Sequence, residues 1–120
     1  MDRFKAKAVA ATELADLNTL AVVFAANADG SGKRLELQRA LSFDESDHEL
    51  GQDTYCLRTE WGGTHYGGVS SWTLEDDELT ISLEEKAARE LRVQGFIVEL
   101  SLTKAKRAAI LRALHRVLKG

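Results

Sequence analysis

Apolar side chains return at every second position in segment after segment of this chain, and only near its C-terminal end does the spacing become that of a helix. Period-two spacing puts one set of side chains on one face of a strand and the other set on the opposite face, so the pattern demands sheets with one buried side. Residues 4–10 alternate in this way, and the spacing predicts a strand with Phe4, Ala6, Ala8 and Ala10 inward and the lysines outward. Residues 20–26 form an unbroken apolar run rich in β-branched and aromatic types, the mark of a central strand. Asn27, Asp29, Gly30 and Gly32 then supply turn chemistry. Leu35, Leu37 and Leu41 alternate in the returning strand, with Arg39 on the leucine face.

Further along, residues 54–60 read as a strand carrying Tyr55, Leu57 and Thr59 on one side, and Gly62-Gly63 turns the chain into a second extended stretch over residues 64–74. The acids of residues 75–78 make a solvated turn, followed by a short strand on Leu79, Ile81 and Leu83. Residues 84–92 favour a short helix, with Ser82 as its cap and Gly95 just past its end. Phe96, Val98, Leu100 and Leu102 form the last strand. Ser101 or Thr103 then caps a helix whose Ile110, Leu111, Leu114, Val117 and Leu118 make one apolar stripe. The expected fold class is α+β: a mostly antiparallel β-sheet, a short helix near residues 84–92 and a C-terminal helix packed on the sheet. With 120 residues and no proline-rich linker, residues 1–120 are expected to form a single domain.

Composition excludes several classes. Cys56 is the only cysteine, which rules out an internal disulfide and a thiol-rich zinc site built from this chain alone. No segment is apolar enough to span a bilayer, and the N-terminus lacks the apolar run of a secretory signal, so the cytoplasm is the expected compartment and no membrane partner is expected. The net charge of −3 conceals an asymmetry. Ten basic and 19 acidic residues precede Thr103, a balance of −9, while Lys104, Lys106, Arg107, Arg112, Arg116 and Lys119 follow with no acid, a balance of +6.

The densest chemistry lies in the acidic loop over residues 44–55, with Asp44, Glu45, Asp47, Glu49 and Asp53 around His48. Asp44, Asp47 and Asp53 offer oxygens to a cation, but the EF-hand order is absent, because Glu49 stands where its glycine belongs and Tyr55 where its glutamate belongs. No metal and no cofactor is expected. Cys56 with His48 or His65 would be the material for a small hydrolase, yet no nucleophile motif surrounds Cys56, and a cysteine on a strand is more often a small core hydrophobe. The glycine pairs open no helix and precede no Lys-Ser/Thr, so they do not cradle phosphate. On the basic helix no aromatic platform is interleaved, so a solvated face is the simpler reading and nucleic acid is not the expected partner. Tyr66 before Gly67-Gly68 reads as a bulge packed by its ring, or, with Trp61 and Trp72 on either side, as part of an aromatic contact patch.

Several of these stretches, in order, resemble one family. They are Phe4-Lys5-Ala6-Lys7-Ala8-Val9, Leu37-Gln38-Arg39, Asp44-Glu45-Ser46-Asp47, Leu50-Gly51-Gln52-Asp53-Thr54-Tyr55 and Tyr66-Gly67-Gly68-Val69. Together they look like immunity protein family 10 of bacterial polymorphic toxin systems, small intracellular antidotes encoded beside a toxin. The resemblance implies a protein that binds and neutralises a cognate toxin domain stoichiometrically; with no catalytic constellation, a non-enzymatic monomer or weak homodimer is expected. A basic nuclease would be a fitting toxin, with the acidic loop as the contact. Asp44, Glu45, Asp47, Glu49, Asp53, Trp61, Tyr66 and Trp72 are the candidate toxin-binding residues. Two alternatives stay open: a small nucleic-acid-binding module using the basic C-terminal helix, and, more weakly, a small hydrolase.

Overall fold

The computed structural model describes residues 1–119, which form nine strands and three α-helices. In chain order these are β1 (Asp2–Lys5), β2 (Ala8–Leu14), β3 (Thr19–Ala25), β4 (Arg34–Ala40), α1 (Glu45–Glu49), β5 (Cys56–Thr59), β6 (Thr64–Tyr66), β7 (Val69–Glu75), β8 (Glu78–Leu83), α2 (Glu85–Leu91), β9 (Gly95–Glu99) and α3 (Lys104–Val117). They build two sheets, one ordered β1-β9-β8-β7 and the other β2-β3-β4-β5-β6. Only β1 and β9 run parallel; the other neighbours are antiparallel. The fold is α+β as expected, with α3 on the sheets.

Two segments expected to be single strands are each two strands in different sheets. Residues 4–10 divide at Ala6-Lys7. The Ala6 N–H donates to the Glu99 carbonyl of one sheet (2.9 Å), and the Lys7 N–H donates to the Ala25 carbonyl of the other (3.0 Å). Crossing between sheets shifts the alternation by one residue. Phe4 and Ala6 are buried as expected, but beyond the crossing Val9 is the buried residue, Ala8 is half-buried and Ala10 is exposed. Residues 64–74 divide likewise at Gly67-Gly68, where both glycines have positive φ (70° and 95°). A Cβ on Gly68 would stand 2.6 Å from Ala87 Cβ, so only glycine lets the chain pass α2 there. The expected bulge exists one step later, as a register shift between Val69 and Ser71.

The inner faces of both sheets share one core. Val9, Leu20, Val22, Phe24, Leu35, Leu37 and Leu57 come from one sheet, and Phe4, Leu79, Ile81, Leu83, Phe96 and Val98 from the other. Between them, α2 contributes Ala87 and Ala88, and α3 contributes Ile110, Ala113, Leu114 and Val117. Of the expected stripe, Leu111 and Leu118 are half-buried at its margins. Thr103, one of the two expected caps, starts α3 by accepting the Lys106 N–H on its Oγ1 (3.2 Å). At the other helix the expectations fail. Ser82 lies inside β8 opposite Gly95, α2 begins after Glu84 without a side-chain cap, and Arg92 in the left-handed region ends it. Gly95 is instead the first residue of β9, where an added Cβ would lie 2.1 Å from the Ile81 carbonyl oxygen.

Two substitutions test this packing by denaturant unfolding. Leu114→Ala, at a fully buried position, is expected to cost about 2–5 kcal/mol; a neutral result would rule out α3 as part of the core. Gly95→Ala is expected to cost about 1–3 kcal/mol, as overpacking against a fixed backbone does, and an unchanged midpoint would contradict the close approach of β9 to β8.

Candidate functional site

The acidic segment is not a loop but begins with one turn of helix, α1, closed by a reciprocal capping box. Asp44 accepts the Asp47 N–H (2.8 Å) and Asp47 accepts the Asp44 N–H (3.0 Å). Asp47 is thus bonded to nearby backbone, while Asp53 is held differently, with its Oδ2 2.7 Å from His48 Nδ1. That bond keeps the Asp53 carboxyl below the ordinary carboxylate range. A depressed carboxyl favours the ordered loop at and above the ordinary carboxylate range, and the contribution fades as pH falls through the lowered value. The segment is tied to the fold through Phe43, whose ring lies 6.4 Å from that of His48 and 5.5 Å from the Arg39 guanidinium. Arg39, on the leucine face as expected, also donates to the Val117 and Lys119 carbonyls at the C-terminal end of α3. The acidic helix, sheet and α3 are thus linked through one arginine.

Among the described residues, Asp44, Glu45, Asp47 and Glu49 have no cationic partner within salt-bridge distance. Several acids elsewhere are paired: Glu13 with Arg116, Asp77 with Arg107, Glu78 and Glu99 with Arg3, and Asp2 with Lys33. α1 and its cap Asp44 therefore carry four acids without a salt-bridge partner, and the helix ends beside Leu50, which is also exposed.

The candidate aromatics are dispersed. Tyr66, 42% exposed, shares a pocket of about 230 Å³ with Asp47, Arg39, Phe43 and Leu17, so it lies beside the acidic segment. Trp61, 88% exposed in the β5–β6 turn, instead lines a separate open groove of about 1750 Å³ with Lys33, Arg89 and Leu91. Trp72 is half-buried on β7, edge-on to His115 of α3 at 4.9 Å. The apolar period does not single out the two most exposed leucines, Leu17 and Leu50. Leu17 precedes Asn18, which adopts the left-handed region (φ 50°) and braces the turn by bonding to Ser42. An Asp-Leu-Asn run between two strands was the available signal for a tight turn with an outward leucine.

The Cys56–His65 pairing does not assemble. His65 stands opposite Leu57, a core residue, whereas Cys56 stands opposite Tyr66, so the two side chains project from opposite faces of one sheet. Burial pushes the Cys56 thiol up, which disfavours the thiolate a nucleophile needs. His65 is buried and turned toward Glu90, with Nδ1 2.5 Å from Oε2. The described residues contain no group of three or more His, Cys, Asp and Glu arranged to hold a metal ion, and no helix long and apolar enough to cross a membrane. On the basic helix, Arg107 also donates to the Leu74 carbonyl, so both it and Arg116 are engaged with the protein's own body.

Neither a curated protein nor a solved structure matches the chain. The sequence profile of the family described as Immunity protein 10, however, matches residues 5–109, from the end of β1 into α3, and on that match the chain belongs to this family.

Proposed function

We propose that this chain, acting as one domain over residues 1–120, binds and neutralises a cognate bacterial toxin domain by stoichiometric contact, with α1 and the adjoining Tyr66 pocket as the contact surface. Membership of an immunity family supports the antidote role and a non-enzymatic one. The observation that carries the choice of surface is the set of four uncompensated carboxylates on α1 and its cap Asp44, beside exposed Leu50 and Tyr66. A surface of this sign is steered toward a basic cleft such as the phosphate-binding site of a nuclease, and association gains rate and specificity from the complementarity. The capping box and the His48–Asp53 bond hold the segment in shape before binding, which lowers the ordering cost of the complex. A nucleic-acid role for α3 has less support, because two of its arginines are already paired within the fold. The solvent-exposed Trp61 groove is the alternative place for the contact.

The experiment separates charge from shape. Glu45→Gln with Glu49→Gln removes two exposed charges that make no hydrogen bond in the helix. Stability is expected to stay within about 0.5 kcal/mol, while association with the toxin domain encoded beside this gene slows and its salt dependence flattens. Asp44→Ala removes the cap and is expected to cost about 0.5–2 kcal/mol of local helix stability, visible as faster hydrogen exchange across α1. If the folded glutamine variant binds and protects like the parent at every ionic strength, the acidic surface is not the contact, and Trp61→Ala becomes the next test.

Cys56→Ser is expected to leave protection of toxin-expressing cells intact in any variant that folds, as an antidote acting by contact requires. Protection lost by a folded variant, together with turnover that depends on Cys56, would return the hydrolase reading.

A further inference from the structure

The pocket of about 230 Å³ between α1 and the outer face of the five-stranded sheet is lined by two kinds of polar residue. One kind is already engaged. Asn18 bonds to Ser42, the Thr19 hydroxyl donates to the Leu17 carbonyl (2.8 Å), and the Arg39 guanidinium donates to the carbonyls of Val117 (3.2 Å) and Lys119 (2.6 Å). The other kind is not. Among the described residues, the side chains of Gln38, Gln52, Thr54 and Tyr66 find no hydrogen-bond partner, although the first three are half-buried. No described side-chain nitrogen or oxygen is both fully buried and unpartnered. Water therefore reaches these four groups in the free protein, and their bonding capacity is open to a partner.

Charge decides what can enter. Of the acids on α1 and its cap, Asp47 alone is half-buried and lines the pocket; its Oδ2 accepts the Asp44 N–H, and its Oδ1 has no partner among the described residues. Arg39 is the one arginine or lysine in the lining, and its charge is answered within the fold. The carbonyls it binds lie at the negative end of the α3 dipole, and the Phe43 ring lies 5.5 Å from the guanidinium. An anion entering here would meet the field of Asp44, Glu45, Asp47 and Glu49, whereas a cation is drawn in. Exposed Leu17 and Tyr66 stand in the same lining and supply apolar surface that excludes water once a partner closes over it.

We propose that this pocket receives one arginine side chain of the toxin domain as the anchor of the contact, an inference that rests on the toxin-binding reading of α1. A guanidinium is a planar group that only donates, through five N–H bonds. The lining answers it with acceptors on Asp47, Gln38, Gln52, Thr54 and Tyr66. An ammonium directs three donors from one point and leaves part of that set unmatched, and it is the more strongly hydrated of the two cations, so it loses more on leaving water. The guanidinium can also lie against the Tyr66 ring. The surface then divides its work between two steps. The exposed carboxylates of α1 set the rate of encounter, and the pocket sets the lifetime of the complex.

The two steps separate kinetically, with the full chain and the toxin domain encoded beside this gene. Gln38→Leu with Gln52→Leu removes two acceptors that bond to nothing in the free chain, so the unfolding midpoint should match the parent. Dissociation of the complex is expected to speed up on the order of tenfold or more, while association and its salt dependence stay as in the parent. Glu45→Gln with Glu49→Gln should do the reverse. An alanine scan of the toxin's arginines is expected to find one whose effect shrinks on the Gln38→Leu, Gln52→Leu background, the coupling of a direct contact. Exchange of that arginine for lysine should not restore the parent lifetime. Should the double variant fail to fold, Gln38→Lys sets a resident cation in the pocket and is expected to shorten the lifetime at least as much. If the α1 variant slows association but the folded pocket variant dissociates like the parent, the acidic surface stands and the anchor falls. If neither variant changes binding, both fall. Coupling to a toxin lysine, full rescue by lysine, or coupling to no basic residue would each overturn the assignment of arginine.

Discussion

The passage of the chain from one sheet to the other is held by Tyr55. Its carbonyl accepts the Gly67 N–H (2.8 Å), and its phenol oxygen accepts the Val69 N–H (2.9 Å), so a single residue grips the crossing on both sides of Gly68. The Gly68 carbonyl in turn accepts the Glu84 N–H (2.8 Å) and places the start of α2. The ring is buried in the common core, and burial pushes the phenol pKa up, keeping the hydroxyl neutral. The two inner faces can meet with the helices between them because this crossing, and its counterpart at Ala6-Lys7, are fixed in place.

That constraint also sets the surface. With the inner faces committed to one core, the outer face of the five-stranded sheet is left bearing Ala21, Gln38, Cys56 and Tyr66 in one row across four strands. Ala21 and Cys56 are buried, yet they lie outside the core cluster, sheltered by their own sheet. Tyr66 therefore points outward beside α1, while Tyr55, eleven positions earlier, points inward and packs. Two tyrosines in neighbouring motifs thus have opposite roles, one in the fold and one at the surface.

Much of this was legible in the alternation of apolar residues. The strands on Leu35 and Leu37, on Leu79 and Ile81, and on Phe96 and Val98 lie where the period put them, and so does the α3 stripe. What period two cannot reveal is a change of sheet, because an extended chain stays extended while it crosses. Residues 4–10 and 64–74 each kept a strand-like composition through the crossing, and only their hydrogen-bond partners differ. The same blindness hid the separation of Cys56 from His65, which depends on strand parity after pairing is known. At α1 the Asp-x-x-Asp spacing held a capping signal, but five residues with no apolar periodicity gave it no helix to announce.

The charge asymmetry between the body and the C-terminal helix takes on a different meaning once the pairs are known. Read from the sequence, a +6 segment attached to a −9 body could be a nucleic-acid face. In the fold, α3 lies over the inner side of the sheets, with Arg116 reaching Glu13 and Arg107 reaching Asp77 and the edge of β7. Exposed pairs of this kind add little stability individually, but they spend basic charge against acids of the body. The acids of α1 stand outside that arrangement. Their own hydrogen bonds are made to backbone N–H groups, which order the carboxylates of Asp44 and Asp47 without neutralising them. A cluster that is structurally satisfied yet electrically uncompensated keeps its field directed at solvent, where a partner of opposite sign can meet it.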